Sequence, residues 1–165
     1  MSNITLNPKY IPLFNGTTRY YIITGGRGSG KSYGVTLFLN NLTYEKDHKV
    51  LFTRYTMASA HSSIIPEFVE KIDVMDAQDD FRVTRDEIIN QTTNSGIMFK
   101  GIKTASGNQT AALKSLAGVS TFVVDEAEEL VDEEVLKVVL TVLMVMLHIF
   151  IQIIKITKRT YLIHS

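Results

Sequence analysis

The chain has 165 residues, 45% of them apolar and 21% charged, enough for one domain with a real core and unlike a disordered chain. It holds no cysteine, which excludes disulfides and Cys-based zinc or iron–sulfur sites and fits a reducing cytosol. Basic and acidic residues balance at 17 each, yet up to Glu134 only 13 bases face all 17 acids, while the last 31 residues carry Lys137, Lys155, Lys158 and Arg159 and no acid. The body is therefore not a nucleic-acid binder by bulk charge.

Met1–Thr5 has neither a basic flank nor an apolar run, so it is not a secretory signal. Thr18–Thr24 (TRYYIIT) reads as a short buried strand ending at a glycine cluster. From Lys31 the pattern turns helical, with Val35, Phe38, Leu39 and Leu42 on one face. Lys49–Arg54 (KVLFTR) reads as a second strand. Ile64, Ile65, Phe68, Val69 and Ile72 mark a second amphipathic helix, with Pro66 expected in its first turn. Phe81–Thr84 fits a short strand, and Glu87–Asn90 with Gly96–Ile102 fits a hairpin around Thr93–Gly96. Lys103–Val119 reads as a loop, and Thr121–Val124 (TFVV) as a strand running into Asp125-Glu126. Strands alternating with helices predict an α/β fold with a largely parallel sheet.

Residues 25–32, Gly25-Gly26-Arg27-Gly28-Ser29-Gly30-Lys31-Ser32, match G-x-x-x-x-G-K-[ST] between a strand and a helix. Glycines let the backbone wrap phosphate oxygens where a Cβ would interfere, and the N–H groups at the helix start form an anion site. In that setting Lys31 bridges the β- and γ-phosphates of ATP and the Ser32 hydroxyl ligates Mg²⁺. Asp125, at the end of a buried strand, is placed to hold Mg²⁺ through water, and Glu126 to orient and deprotonate an attacking water. Glu128, Glu129, Glu133 and Glu134 read as a solvated first turn.

Three further assignments stay open between alternatives. Arg27 reaches the γ-phosphate or faces solvent. Arg54 senses phosphate or contacts DNA, or else closes a structural ion pair. Tyr10, Tyr20 and Tyr21 include an adenine-stacking ring or pack in the core.

With these residues in view, the chain resembles the large terminase subunit of tailed bacteriophages. The resemblance rests on GGRGSGKS at 25–32 with its internal Arg27, VLFTRYT at 50–56 and VSTFVVDEAEEL at 119–130, and covers about residues 10–134. It implies a P-loop NTPase of the RecA-like ASCE class, a three-layer sandwich with a mostly parallel sheet. It also implies an ATPase that pumps double-stranded viral DNA into a preformed capsid, in the cytoplasm of an infected bacterium. By this resemblance Arg27 senses the γ-phosphate or assists catalysis, Asp125 is the Mg²⁺-side acid and Glu126 the catalytic base. Family members work as homo-oligomeric rings at the portal protein, with a small terminase subunit that recognises DNA.

Such proteins are longer, and carry a coupling motif and a metal-dependent nuclease domain that have no counterpart after residue 134 here. In that ATPase class the next strand inserts between the P-loop strand and the acidic strand, so an ATPase core at 1–134 leaves the sheet incomplete. Residues 135–165 form an apolar tail with neither a 3.6 nor a 2.0 period. Three readings of it stand: an aberrant end, a strand or helix filling the open sheet position, or a membrane span, for which 17 mostly apolar residues fall short of the roughly 20 usually needed. Two other functional readings also stand: a fragment of a DEAD-like helicase or RecA-type ATPase, since Asp125-Glu126-Ala127-Glu128 resembles that box, and an inactive truncated remnant.

Overall fold

The computed structural model describes residues 4–16, 18–56, 60–102, 118–129 and 149–155. The strands are β1 (Tyr20–Gly25), β2 (Lys49–Arg54), β3 (Phe81–Val83), β4 (Glu87–Asn90), β5 (Ser95–Gly101), β6 (Thr121–Val124) and β7 (Ile149–Lys155). The helices are a single turn α1 (Ile11–Phe14), α2 (Lys31–Leu42) and α3 (Ala60–Val74). The strands form one sheet in the order β1-β7-β6-β2-β5-β4-β3. Five neighbours from β1 to β5 run parallel, and β4 and β3 add an antiparallel edge.

β7 lies in the apolar tail and occupies the sheet position between the P-loop strand and the acidic strand. It pairs with β1 from Tyr20↔Phe150 to Gly25↔Lys155 and with β6 from Thr121↔Ile149 to Val124↔Gln152. The backbone groups of β1 and β6 that face each other across that position thus find parallel partners. Among the described residues no helix is long and apolar enough to cross a membrane. The loop expected over 103–119 lies mostly outside the described residues, as do Glu133 and Glu134.

The strands β2 and β6 are almost wholly apolar because both faces are covered. On one face Val50, Phe52, Ile97, Phe99 and Val123 meet Val35, Phe38, Leu39 and Leu42 of α2 and Ile64, Phe68 and Ile72 of α3. Leu51, Phe122 and Val124, pointing the other way, are equally buried. Phe52, Phe68 and Phe99 form a triangle of rings with centroids 5.2 to 5.7 Å apart, pinning α3 to the sheet.

Pro66 sits not in the first turn of α3 but at its seventh residue. The opening residues Ala60-His61-Ser62-Ser63 carry no periodic apolar signal, so the sequence pattern starts the helix too late. Pro66 is exposed, on a side where water can replace the donor that proline lacks.

A glycine inside α2 has a steric cause. A Cβ at Gly34 would lie 2.7 Å from the Tyr10 ring, so the helix accepts the roughly 1 kcal/mol propensity cost of glycine to let the N-terminal segment pack. Tyr10 is 5% exposed and belongs to the core, with Leu13 beside it.

Candidate active site

The loop at 25–32 joins β1 to α2 at the C-terminal edge of the sheet. Gly28 and Gly30 have φ of 77° and 76°, a conformation other residues rarely adopt, and Gly30 forms the N-cap of α2. Lys31 is 8% exposed and its ammonium folds into the loop. It donates to the Gly25 carbonyl, to the Gly26 carbonyl at 3.1 Å and to Ser29 Oγ at 3.3 Å. Outside the loop, Lys9 Nζ at 2.7 Å and the Tyr10 hydroxyl at 3.0 Å both donate to the Ser29 carbonyl. The segment before β1 therefore fixes the loop from below.

The acid pair follows β6. Its height is set by the sheet, since Asp125 N–H donates to the Thr53 carbonyl at 2.8 Å and Thr53 Oγ1 donates to the Val123 carbonyl at 2.7 Å. Glu126 has φ of 52°, a left-handed conformation that costs a non-glycine residue energy. Arg54, at the end of the neighbouring β2, donates to Asp125 Oδ2 from Nε and Nη2, each at 2.7 Å. Nη2 also lies 3.5 Å from Glu126 Oε1. Arg54 thus closes the ion pair that was one of its readings, and it also lines the cleft.

Loop and acids face one cleft of about 580 Å³, within the range of roughly 300–1,000 Å³ usual for small-molecule sites. Residues 26–33 line one side; Arg54, Ser63, Glu67, Asp125 and Glu126 line the other. Every residue that the sequence assigned to phosphate, cation or water, from Gly26 to Ser32 and at Asp125 and Glu126, borders this cleft, and Gly25 adjoins it at the end of β1. Arg27 is exposed and borders the cleft. Glu128 and Glu129 point to solvent. Tyr10, Tyr20 and Tyr21 do not line it: Tyr10 is core, Tyr21 donates to the Pro12 carbonyl at 3.3 Å, and Tyr20 is 54% exposed.

Two carboxyls in the cleft titrate above their usual range. Burial raises Asp125 most, opposed by the charge and hydrogen bond of Arg54 and reinforced by Glu126. Burial also raises Glu67; Lys71 opposes this and Asp125 adds to it. Sequence reasoning missed Glu67 and Ser63. The available signal was Glu67's position at the border of the apolar stripe of α3, next to Phe68.

The donor set fits a magnesium–nucleotide ion. Among the described residues no three His, Cys, Asp or Glu side chains gather to hold a metal unaided. Mg²⁺ does not need that, because it keeps waters and takes phosphate oxygens, leaving one or two hard protein oxygens to complete the shell. Ser32 and Asp125 offer such oxygens on opposite sides of one cleft, beside a loop of backbone N–H groups suited to phosphate.

Comparison with known proteins adds the context. No curated protein sequence matches the chain. Among solved structures, the large terminase of a thermophilic bacteriophage is similar, at 11% identity over 91% of this chain and 39% of its own, with a TM-score of 0.68, and the same protein is also matched in complex with ADP. The Thermus phage P74-26 large terminase ATPase domain matches at 17% identity over 98% of this chain and 69% of its own, with a TM-score of 0.65. The Phi-28 gp11 DNA packaging motor matches at 15% identity over 91% of this chain and 49% of its own, with a TM-score of 0.60. At these identities the likeness is one of fold. The chain thus spans well under half the length of the first of these terminases. The phage terminase large subunit family matches residues 17–158. With that span covering most of its length, the chain belongs to the family of phage terminase large subunits.

Proposed function

We propose that the chain is the ATP-hydrolysing part of a viral DNA-packaging motor. The observation that carries this reading is the single cleft on which the phosphate loop, Asp125, Glu126 and Arg54 converge. Lys31 and the N–H groups of residues 26–32 bind the phosphates, and Ser32 and Asp125 hold Mg²⁺, which neutralises phosphate charge when bound. Glu126 accepts the proton of the attacking water. Arg54 keeps Asp125 and Glu126 in place, and Arg27, free to lean over the loop, stabilises charge on the γ-phosphate. Residues 1–134 carry the nucleotide chemistry, and 135–165 supply the strand that closes the sheet.

Family membership and the likeness to a DNA packaging motor support coupling of this hydrolysis to translocation of double-stranded viral DNA. The same support extends to a ring of copies at a portal protein, a small terminase subunit as partner, and the cytoplasm of an infected bacterium as the place of work. The ADP complex of a matched terminase supports adenine nucleotide as ligand.

Phosphate release from ATP by the full chain, beside Lys31→Ala, tests the reading. Turnover that disappears in the variant is expected; equal rates in both would remove the enzymatic reading.

A further inference from the structure

We propose that Glu67 is a positioning residue for the divalent cation of this site, holding its water shell from α3 as Asp125 does from β6. The inference rests on the nucleotide reading above.

Glu67 borders the main cleft, and also a narrow crevice beneath it shared with Ser32, Thr36 and Asp125. That crevice measures about 10 Å³, close to the space one water needs, and Val35, Phe52 and Ile64 complete its lining around these four oxygen-bearing residues. Among the described residues the Glu67 carboxyl has no hydrogen bond or ion pair, although it is half-buried. The nearest candidate partner on its own helix is engaged elsewhere: Lys71 Nζ pairs with Glu70 at 2.7 Å and lies 4.6 Å from the centre of the Tyr33 ring. Arg54 is spent on Asp125 and Glu126.

A half-buried carboxylate facing a phosphate cleft is costly by itself and repels a bare nucleotide. A cation with its waters reverses both effects. Glu67 therefore favours the cation–nucleotide pair over free nucleotide, a selection that Ser32 and Asp125 alone would exert less strongly. Residues one shell out from a metal commonly contribute about 10–100-fold to its affinity.

The test uses the full chain saturated with ADP, with free Mn²⁺ followed by electron paramagnetic resonance. ADP affinity in EDTA is measured in parallel. Glu67→Gln is expected to weaken Mn²⁺ by about tenfold, while ADP in EDTA binds as well as in wild type or better. Unchanged Mn²⁺ affinity would overturn the assignment, as would a matching loss of ADP affinity in EDTA, which marks damage to the shape of the site. Should Glu67→Gln fail to fold, Glu67→Asp keeps the charge on a shorter arm and must still weaken Mn²⁺. Wild-type chain that binds no ADP at all would overturn the nucleotide reading and this inference together, whereas normal ADP binding with indifferent Glu67 variants would overturn this inference alone.

Discussion

The guanidinium of Arg54 places two nitrogens on one oxygen of Asp125, Nε and Nη2 each 2.7 Å from Oδ2. The two residues are 71 positions apart and meet only because β2 and β6 are neighbours in the sheet. Arg54→Met would leave Asp125 without its cation in a setting where that side chain is 13% exposed. A cost of about 2–3 kcal/mol is expected, less than the roughly 3–5 kcal/mol of a fully buried broken pair because the cleft admits water. Urea unfolding measures it. Adding Asp125→Asn should recover part of the loss, and strictly additive losses would show that the pair is not coupled.

A pH dependence follows from burial of the same carboxyls. Asp125 and Glu67 both titrate above their ordinary range, so the folded chain binds more protons than the unfolded chain between the two values. Their contribution to stability is present below the ordinary carboxylate range and is lost as pH rises through the raised values. Glu67→Gln should therefore gain on wild type in urea unfolding as pH goes from about 4 to about 7. A gap that stays constant over that interval would contradict the assignment of burial as the cause.

The contact of Tyr10 with α2 predicts an unusual response to alanine. Gly34→Ala normally improves a helix by about 1 kcal/mol, but here the new Cβ meets the Tyr10 ring at 2.7 Å. Overpacking of about 1–3 kcal/mol should outweigh the gain. Thermal melting of Gly34→Ala, Tyr10→Leu and the double variant checks this, with the double variant expected to be more stable than the sum of its parts.

β7 invites the strongest perturbation. Ile151 pairs with Tyr21 on one side and Val123 on the other. Ile151→Pro removes a ladder donor in the middle of the sheet, and cooperative unfolding should be lost, while Ile151→Val should leave it intact. A chain that melts normally with proline at 151 would show that the tail is not integral to the sheet.

Legibility in the sequence followed the physics of each element. Lys49–Arg54 and Thr121–Val124 were readable to the residue, because strands buried on both faces form apolar runs with sharp polar ends. β7 was not legible in this way, because residues 138–154 are so largely apolar that no period marks where the strand begins, and it runs one residue past them to Lys155. The phosphate loop and acid pair carry their chemistry in their spelling. Glu67 does not, since a carboxylate at the border of an amphipathic helix looks like any solvated one until α3 is laid beside the cleft. Arg54 carried three readings for a similar reason: its partner depends on strand order, which residue pattern alone does not encode.

Whether this cleft hydrolyses ATP with Glu126 as the base is decided by Glu126→Gln. The variant keeps the size and the hydrogen-bonding reach of the side chain but cannot take a proton. Single-turnover phosphate release, measured with ATP binding in parallel, should fall by about 10²–10⁴ while ATP affinity is retained. Release at the wild-type rate from Glu126→Gln would rule Glu126 out as the base.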